Sequence, residues 1–163
     1  MWQWISDNPG IFGTAVSNHL QLSGVALAAV ILIALPLGLA LTRRRGLANA
    51  AIAIVNILRT VPSLALLVIM LPLLGTGFLP SAVALVLYGL PALLLNTYTG
   101  LVEVDADIVE AARGQGLSDR QVMTRIEIPL ALPVIFAGIR TAAVQSVSAA
   151  TLAAFIGGGG LGE

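Results

Sequence analysis

The chain has 163 residues, of which 58% are hydrophobic and 10% are charged, and its formal net charge is zero. Ordinary soluble domains contain roughly 45–50% apolar and about 25% charged residues. The composition therefore argues against a water-soluble helical protein, and the charge balance argues against a nucleic-acid partner. The chain also has no cysteine, which excludes disulfides and thiolate metal sites.

Long uncharged segments predict an all-α, polytopic membrane helical bundle. About 20 apolar residues are needed to cross ~30 Å of hydrocarbon, so the uncharged segments divide into about four spans. We place these at residues 20–42, 48–74, 79–102 and 130–155. Gly75, Gly77 and Pro80 supply the break between the second and third spans. Residues 1–19 are then an N-terminal segment, and residues 20–163 form one transmembrane domain.

The second span has two possible forms, because Arg59 and Pro62 interrupt it. Residues 48–74 form one span, or an interfacial helix at residues 47–58 is followed by a span at residues 61–79. Both alternatives place the same chain ends on the same sides of the membrane.

The arginines predict the orientation, since loops rich in Lys and Arg remain in the cytoplasm. One cluster follows the first span and the other lies between the third and fourth spans; they consist of Arg43, Arg44 and Arg45, and of Arg113, Arg120 and Arg125. We therefore expect the N-terminus outside and the loop at residues 103–129 in the cytoplasm. Trp2 and Trp4 fit an outer interfacial anchor.

The loop at residues 103–129 is predicted to contain two short helices. Asp107 followed by Glu110 is a variant of the capping box, so a helix is expected from Ile108 until Gly114 or Gly116 ends it.

Ser118 followed by Gln121 is a second capping box, which opens a helix at residues 119–127. Pro129 then restarts the chain in the membrane.

Small and apolar side chains on these two helices predict a protein-contact surface. Ala111 and Ala112 lie beside Ile108 on the first helix, and Val122 and Ile126 share a face of the second. The helix–turn–helix pattern does not indicate DNA binding, because six acidic and three arginine side chains leave a net charge of −3 at residues 103–127.

The segment EAARGQGLSDRQVMTRIEIP resembles the EAA signature of ABC importer permeases. The matching positions are Glu110, Ala111, Ala112, Gly116, Ile126 and Pro129, with Ile128 in place of the usual leucine. In that family the loop forms a coupling helix that docks in a cleft of the ATPase subunit. The resemblance implies this role for residues 110–116, with Glu110 making polar contacts at the interface and Gly116 permitting the turn.

The resemblance extends over most of the chain. LRTVPSLALL, LNTYTGLVEVD and AGIRTAAVQSVSAATLAAFIGGGGLG are similar to the osmoprotectant branch, whose members import glycine betaine, choline or carnitine. Such permeases continue past the glycine run into a last span, so an intact permease is expected to be longer. A permease for methionine or another small organic solute is the alternative.

The resemblance also implies a bacterial cytoplasmic (inner) membrane location and a set of partners. These are ABC ATPase subunits that bind ATP and Mg, a second permease chain that is identical or paralogous, and an external solute-binding protein. The sequence itself contains no P-loop and no lysine, so ATP must be bound by another subunit.

Two groups of polar residues within apolar segments are candidates for the translocation path. Arg59 and Arg140 are costly in hydrocarbon and usually face a cavity or a partner, although both also lie within reach of the cytoplasmic interface. Thr141, Gln145 and Ser148 form a polar stripe that either lines the path or bonds to a neighbouring helix.

Ala142, Ser146, Ala149 and Ala153 form a small-residue face suited to helix packing, whereas Asn96 is expected to have a structural role.

Three further readings are disfavoured. The G-x-G-x-x-G pattern of dinucleotide-binding sites occurs at Gly157, Gly159 and Gly162. A membrane helix rather than a strand precedes this pattern, so we expect a helix stop and a mobile outer turn instead. One histidine, His19, and the lack of H-E-x-x-H and G-x-S-x-G motifs argue against an intramembrane enzyme. A passive channel would need no docking loop.

The eight scattered aromatic residues predict that selectivity for quaternary amines lies in the binding protein.

Overall fold

The structure, a computed structural model, describes residues 2–162, with the side chains of Trp2, Gln3, Trp4 and Arg45 excepted. The predicted tryptophan anchor therefore lies outside the described side chains. Residues 2–162 form helices without a strand, which confirms the all-α prediction. The helices are α1 (Trp2–Asp7), α2 (Pro9–Thr42), α3 (Arg45–Thr60), α4 (Ser63–Leu74), α5 (Phe78–Val102), α6 (Ala106–Gly114), α7 (Asp119–Val122) and α8 (Ile128–Ala150).

Three helical segments are long and apolar enough to cross a membrane. They are α2, α5 and a segment from Asp119 to Ile156 that contains α7 and α8. The 34 residues of α2 extend for about 51 Å, well beyond the hydrocarbon thickness. This helix begins at Pro9, where a proline is favoured in the first turn, rather than at the predicted residue 20.

The second predicted span is not one continuous helix. α3 and α4 meet at a bend of 99°, because Val61 precedes Pro62 and adopts an extended conformation with ψ of 122°. α4 has 12 residues, about 18 Å, and is too short to cross the hydrocarbon alone. The break in the alternative prediction is correct, but α4 ends at Leu74 because Gly75 has φ of +79°.

α5 is the central helix of the bundle, with α2, α4 and α8 packed around it. Its crossings with α2 and α8 are close. A Cβ at Gly38 would lie 2.7 Å from Thr97 Cγ2, and a Cβ at Gly138 would lie 2.7 Å from Asn96 Cβ. The predicted small-residue face of α8 is buried, with exposures of 0% to 3% for Ala142, Ser146, Ala149 and Ala153, and thus packs within the chain.

The loops divide between two ends of the bundle. At the first, which we call the arginine end, Arg43 Nη2 donates to the backbone oxygen of Asp119 at 3.2 Å. This contact brings the loop after α2 to the loop before α8, as the arginine distribution predicts. At the other end, the glycine end, Gly77 N–H donates to Ile156 O at 2.8 Å.

The glycine run after the 3₁₀ turn Thr151–Ile156 is packed against the bundle. The neutral tautomer of buried His19 satisfies two hydrogen bonds there, since Nε2 donates to Val147 O at 3.0 Å and Nδ1 accepts from Leu161 N–H at 3.4 Å. A Cβ at Gly160 would lie 3.2 Å from His19 Nδ1. The predicted helix stop is confirmed by Gly157 with φ of +72°, but the run is not a free turn.

Candidate functional site

The first helix of the arginine-end loop, α6, begins earlier than the sequence suggested. Asp105 is its N-cap, and the Asp105 carboxylate accepts a hydrogen bond from the Asp107 N–H at 2.9 Å. The predicted capping box of Asp107 and Glu110 is therefore wrong. The helix begins two residues before the expected start at Ile108, because Asp105 sits closer to the end of α5 and caps first.

The C-terminus of α6 is closed by a Schellman motif. Leu117 N–H donates to Ala112 O at 3.3 Å, and Gly116 N–H donates to Arg113 O at 2.9 Å. Gly116 has φ of +85°, the left-handed conformation that glycine adopts without a steric cost. Gly116, rather than Gly114, is thus the residue that permits the turn.

α7 begins at the predicted capping box. Ser118 N–H donates to Gln121 Oε1 at 2.9 Å, and Gln121 N–H donates to Ser118 Oγ at 3.4 Å. An exposed salt bridge of 3.3 Å between Arg113 and Asp119 joins α6 to α7. Since Asp119 also accepts from Arg43, both short helices are tied to the end of α2.

The loop continues into α8 without a break. A π-helical turn, Met123–Glu127, follows α7 and leads directly into α8, and Ile128 N–H donates to Met123 O. The predicted helix at residues 119–127 is present as α7 and the π turn, but it does not end there. The predicted restart at Pro129 is therefore wrong, because the helix continues through the proline into α8.

The two alanines of the signature face different surroundings. Ala112 is 7% exposed and packs within the chain, as does Val122 with 1%, while Ile126 is half-buried. Ile108 is 44% exposed and Ala111 is exposed as well. The outward surface of α6 is therefore formed by Ile108 and Ala111, and the predicted inclusion of Ala112 is wrong.

A cavity of about 980 Å³ lies on the bundle side of α6. Val109, Glu110 and Arg113 line it from α6, and Arg43 and Glu127 line it from the neighbouring elements. Glu110 is exposed and lies at the edge between this cavity and solvent. One Glu127 oxygen, Oε2, is buried without a hydrogen-bond partner among the described residues.

A second cavity, of about 430 Å³, brings together three of the five residues predicted for the translocation path. Its wall includes Arg59, Thr141 and Gln145. Arg140 and Ser148 are exposed but do not belong to this wall. Thr141 and Gln145 thus lie beside the small-residue packing face of α8, about 90° around the helix from its centre.

The same wall contains two residues that the sequence did not assign to it, Tyr88 and Asn96. Asn96 was expected to be structural, and its amide does donate to Ala92 O at 2.7 Å. No sequence pattern around Tyr88 indicates that it lines a cavity, because its place in the wall depends on the bend between α3 and α4.

Long apolar helices with a capped, exposed helical loop at one end define a polytopic membrane protein. A family model described as binding-protein-dependent transport system inner membrane component matches residues 31–163. The chain belongs to this family, and it is a membrane protein with the fold of an ABC importer permease.

Individual relatives agree with this assignment. The chain is similar to the glycine betaine/carnitine/choline transport system permease protein OpuCB of Bacillus subtilis (strain 168), with 44% identity over 163 residues, which are 100% of this chain and 75% of that protein. It is also 44% identical over 161 residues to the choline transport system permease protein OpuBB of the same organism, covering 99% of this chain and 74% of that protein. Among solved structures, it resembles an inward-facing conformation of the MetNI methionine ABC transporter with a TM-score of 0.80 and 28% identity, covering 93% of this chain and 77% of that one.

Proposed function

We propose that this chain is a permease subunit of an ATP-driven importer for an osmoprotectant, glycine betaine or a related quaternary amine. The carrying observation is α6, which is capped at both ends and presents Ile108 and Ala111 away from the bundle. Such a rigid helix with a small apolar surface fits a cleft on a partner protein. ATPase subunits are the partners that the family assignment supports, and they would bind ATP and Mg.

The docking site on this chain comprises the signature residues. Ile108 and Ala111 enter the ATPase cleft, Glu110 supplies polar contacts at its rim, and Gly116 sets the direction of the turn. Ala112 and Ile126 fix α6 and the base of α8 against the bundle, and Pro129 lies exposed in the first turn of α8.

Alternating access follows from this docking. ATP binding and hydrolysis in the partner displace α6, and α8 carries the displacement to the cavity that contains Arg59, Thr141 and Gln145. Two permease chains, identical or paralogous, enclose the path, and an external solute-binding protein delivers the solute. Arg140 and Ser148 lie outside the cavity wall in this chain, so the path in this proposal is lined by Arg59, Thr141 and Gln145 without them.

The arginine end faces the cytoplasm in this proposal, with the N-terminus outside. The support is the concentration of arginines at that end, including Arg43, Arg113 and Arg120, since such residues favour the cytoplasmic side. The glycine end, with the turn at Gly75, carries no arginine. The protein then resides in the bacterial inner membrane.

The named relatives favour quaternary amines over methionine as the solute. The matches at 44% identity, which cover 100% and 99% of this chain, are to permeases named for glycine betaine, carnitine and choline, whereas the methionine transporter is 28% identical. Uptake competition separates these possibilities: unlabelled carnitine should suppress uptake of labelled betaine, and unlabelled methionine should not. Suppression by methionine alone would favour the methionine alternative.

The docking proposal is tested by a matched pair of cysteine variants. The chain has no native cysteine, so Ala111→Cys and Ala112→Cys each introduce a unique thiol. In membranes with the partner ATPase, Ala111→Cys should crosslink to cysteines around the ATPase cleft with a yield that changes with ATP. Ala112→Cys is the control, because this neighbouring position is 7% exposed. No crosslink from Ala111→Cys in an assembled complex would overturn the docking role.

A further inference from the structure

The cavity of about 430 Å³ carries an unbalanced positive charge. Arg59 is the one charged residue in its wall, which otherwise contains Tyr88, Asn96, Thr141 and Gln145 among apolar residues. Arg59 forms neither an ion pair nor a hydrogen bond with any described residue of the chain. No described residue therefore neutralises the positive charge of this cavity.

The cavity lies at an intermediate depth in the bundle. Tyr88 follows the glycine-end start of α5 by about 15 Å, and Asn96 precedes the arginine-end terminus of that helix by about 9 Å. An arginine at this depth is costly unless it faces a polar cavity or a counter-charge. An anionic group that enters the cavity would supply the missing counter-charge.

The other polar groups of the wall are less suited to hold an anion. Asn96 donates to Ala92 O at 2.7 Å, and the Thr141 hydroxyl donates to Ala137 O at 2.9 Å. Gln145 Oε1 is an acceptor that is buried without a partner among the described residues. Arg59 supplies the charged donors of the wall, and a guanidinium binds a carboxylate through paired, charge-assisted hydrogen bonds.

We infer that this cavity is a solute subsite at which Arg59 binds the carboxylate of a zwitterionic quaternary amine. This inference rests on the proposed function. Betaine and carnitine have a carboxylate, whereas choline is only cationic and would be repelled by Arg59. The permease therefore selects zwitterions over choline, in addition to any selection by the binding protein. Tyr88 offers an aromatic ring in the same wall, the type of group that attracts a quaternary ammonium.

The test compares import rates of betaine and choline by the assembled transporter in vesicles. Both solutes are supplied at saturating concentration, so that the affinity of the binding protein does not set the rate. Arg59→Gln should lower the ratio of the betaine rate to the choline rate about tenfold, which corresponds to ~1.4 kcal/mol. Arg59→Lys keeps the charge without the bidentate geometry, and its ratio should lie between wild type and Arg59→Gln.

Arg140→Gln is the matched control, because it removes an arginine from an apolar segment outside the cavity wall. Its ratio should equal that of wild type, whatever its effect on the two separate rates. Gln145→Glu provides a second test that retains Arg59. The new carboxylate would neutralise the cavity, so the ratio should again fall.

Each outcome either supports or overturns the solute subsite at Arg59. An unchanged ratio in both Arg59→Gln and Gln145→Glu, or the same change in Arg140→Gln, overturns the subsite and leaves Arg59 as a residue that snorkels to the membrane interface. If wild type imports betaine alone, the betaine rate of Arg59→Gln relative to Arg140→Gln replaces the ratio, and equal rates overturn the subsite. A wild-type transporter that imports neither solute instead refutes the proposed function, and the subsite with it.

Discussion

Gly116→Ala is the sharpest test of the turn that positions α6. Gly116 has φ of +85°, and a Cβ at this position would meet nothing within 4 Å. The substitution therefore introduces no clash with neighbouring atoms and acts through backbone strain alone, which costs about 1–2 kcal/mol for a residue with a side chain. That cost lowers the population of the docking conformation about 5- to 30-fold.

Binding-protein-stimulated ATP hydrolysis and solute uptake should fall together by several-fold in Gly116→Ala. The matched control is Gly114→Ala, which lies inside α6, also has nothing within 4 Å of the added Cβ, and has no positive φ. Alanine there favours the helix by about 1 kcal/mol, so both activities should be retained. Full uptake by Gly116→Ala would refute the coupling argument and would support a passive channel, which needs no docking loop.

Three further substitutions test the packing and the caps. Gly138→Ala places a Cβ 2.7 Å from α5 and should destabilise the bundle by about 1–3 kcal/mol; Gly24→Ala, with open space around the Cβ, is the control in thermal unfolding, and equal Tm values would contradict the close crossing. Ser118→Ala removes the capping box and should cost about 0.5–2 kcal/mol, visible as faster hydrogen exchange in α7. His19→Leu removes the hydrogen bond that Leu161 N–H donates at the end of the glycine run, together with the bond from His19 to Val147 O in α8, so a cysteine placed at Leu161 should be labelled faster than in the His19 background.

Features encoded by neighbouring residues could be predicted from the sequence. The capping box of Ser118 and Gln121 depends on residues three positions apart, and the stop at Gly116 depends on one residue without a side chain. The membrane spans follow from the distribution of charges, which the solvent imposes directly on the chain. The presence of two short helices in the loop could thus be predicted, although the N-cap of the first helix is Asp105 rather than the later Asp107.

Features that depend on tertiary packing could not be predicted in this way. Arg59 and Pro62 indicated an interruption, but the bend of 99° depends on how α4 packs against α5. The burial of Ala112 but not Ala111 is likewise set by the elements beneath α6. Adjacent residues on a helix share the same local pattern, so only their partners distinguish them.

The continuity from α7 to α8 constrains how any movement of the loop reaches the membrane. Asp119 to Ile156 is a helical segment of 38 residues, about 57 Å long. Had Pro129 broken this segment, α7 would be free to move while α8 remained in place. The chain instead stays helical through the π turn and across the proline, with Ile128 N–H bonded to Met123 O. A displacement of α7 must therefore either bend the helix at the π turn or rotate or translate α8, and only the second movement changes the position of Thr141 and Gln145 in the cavity wall.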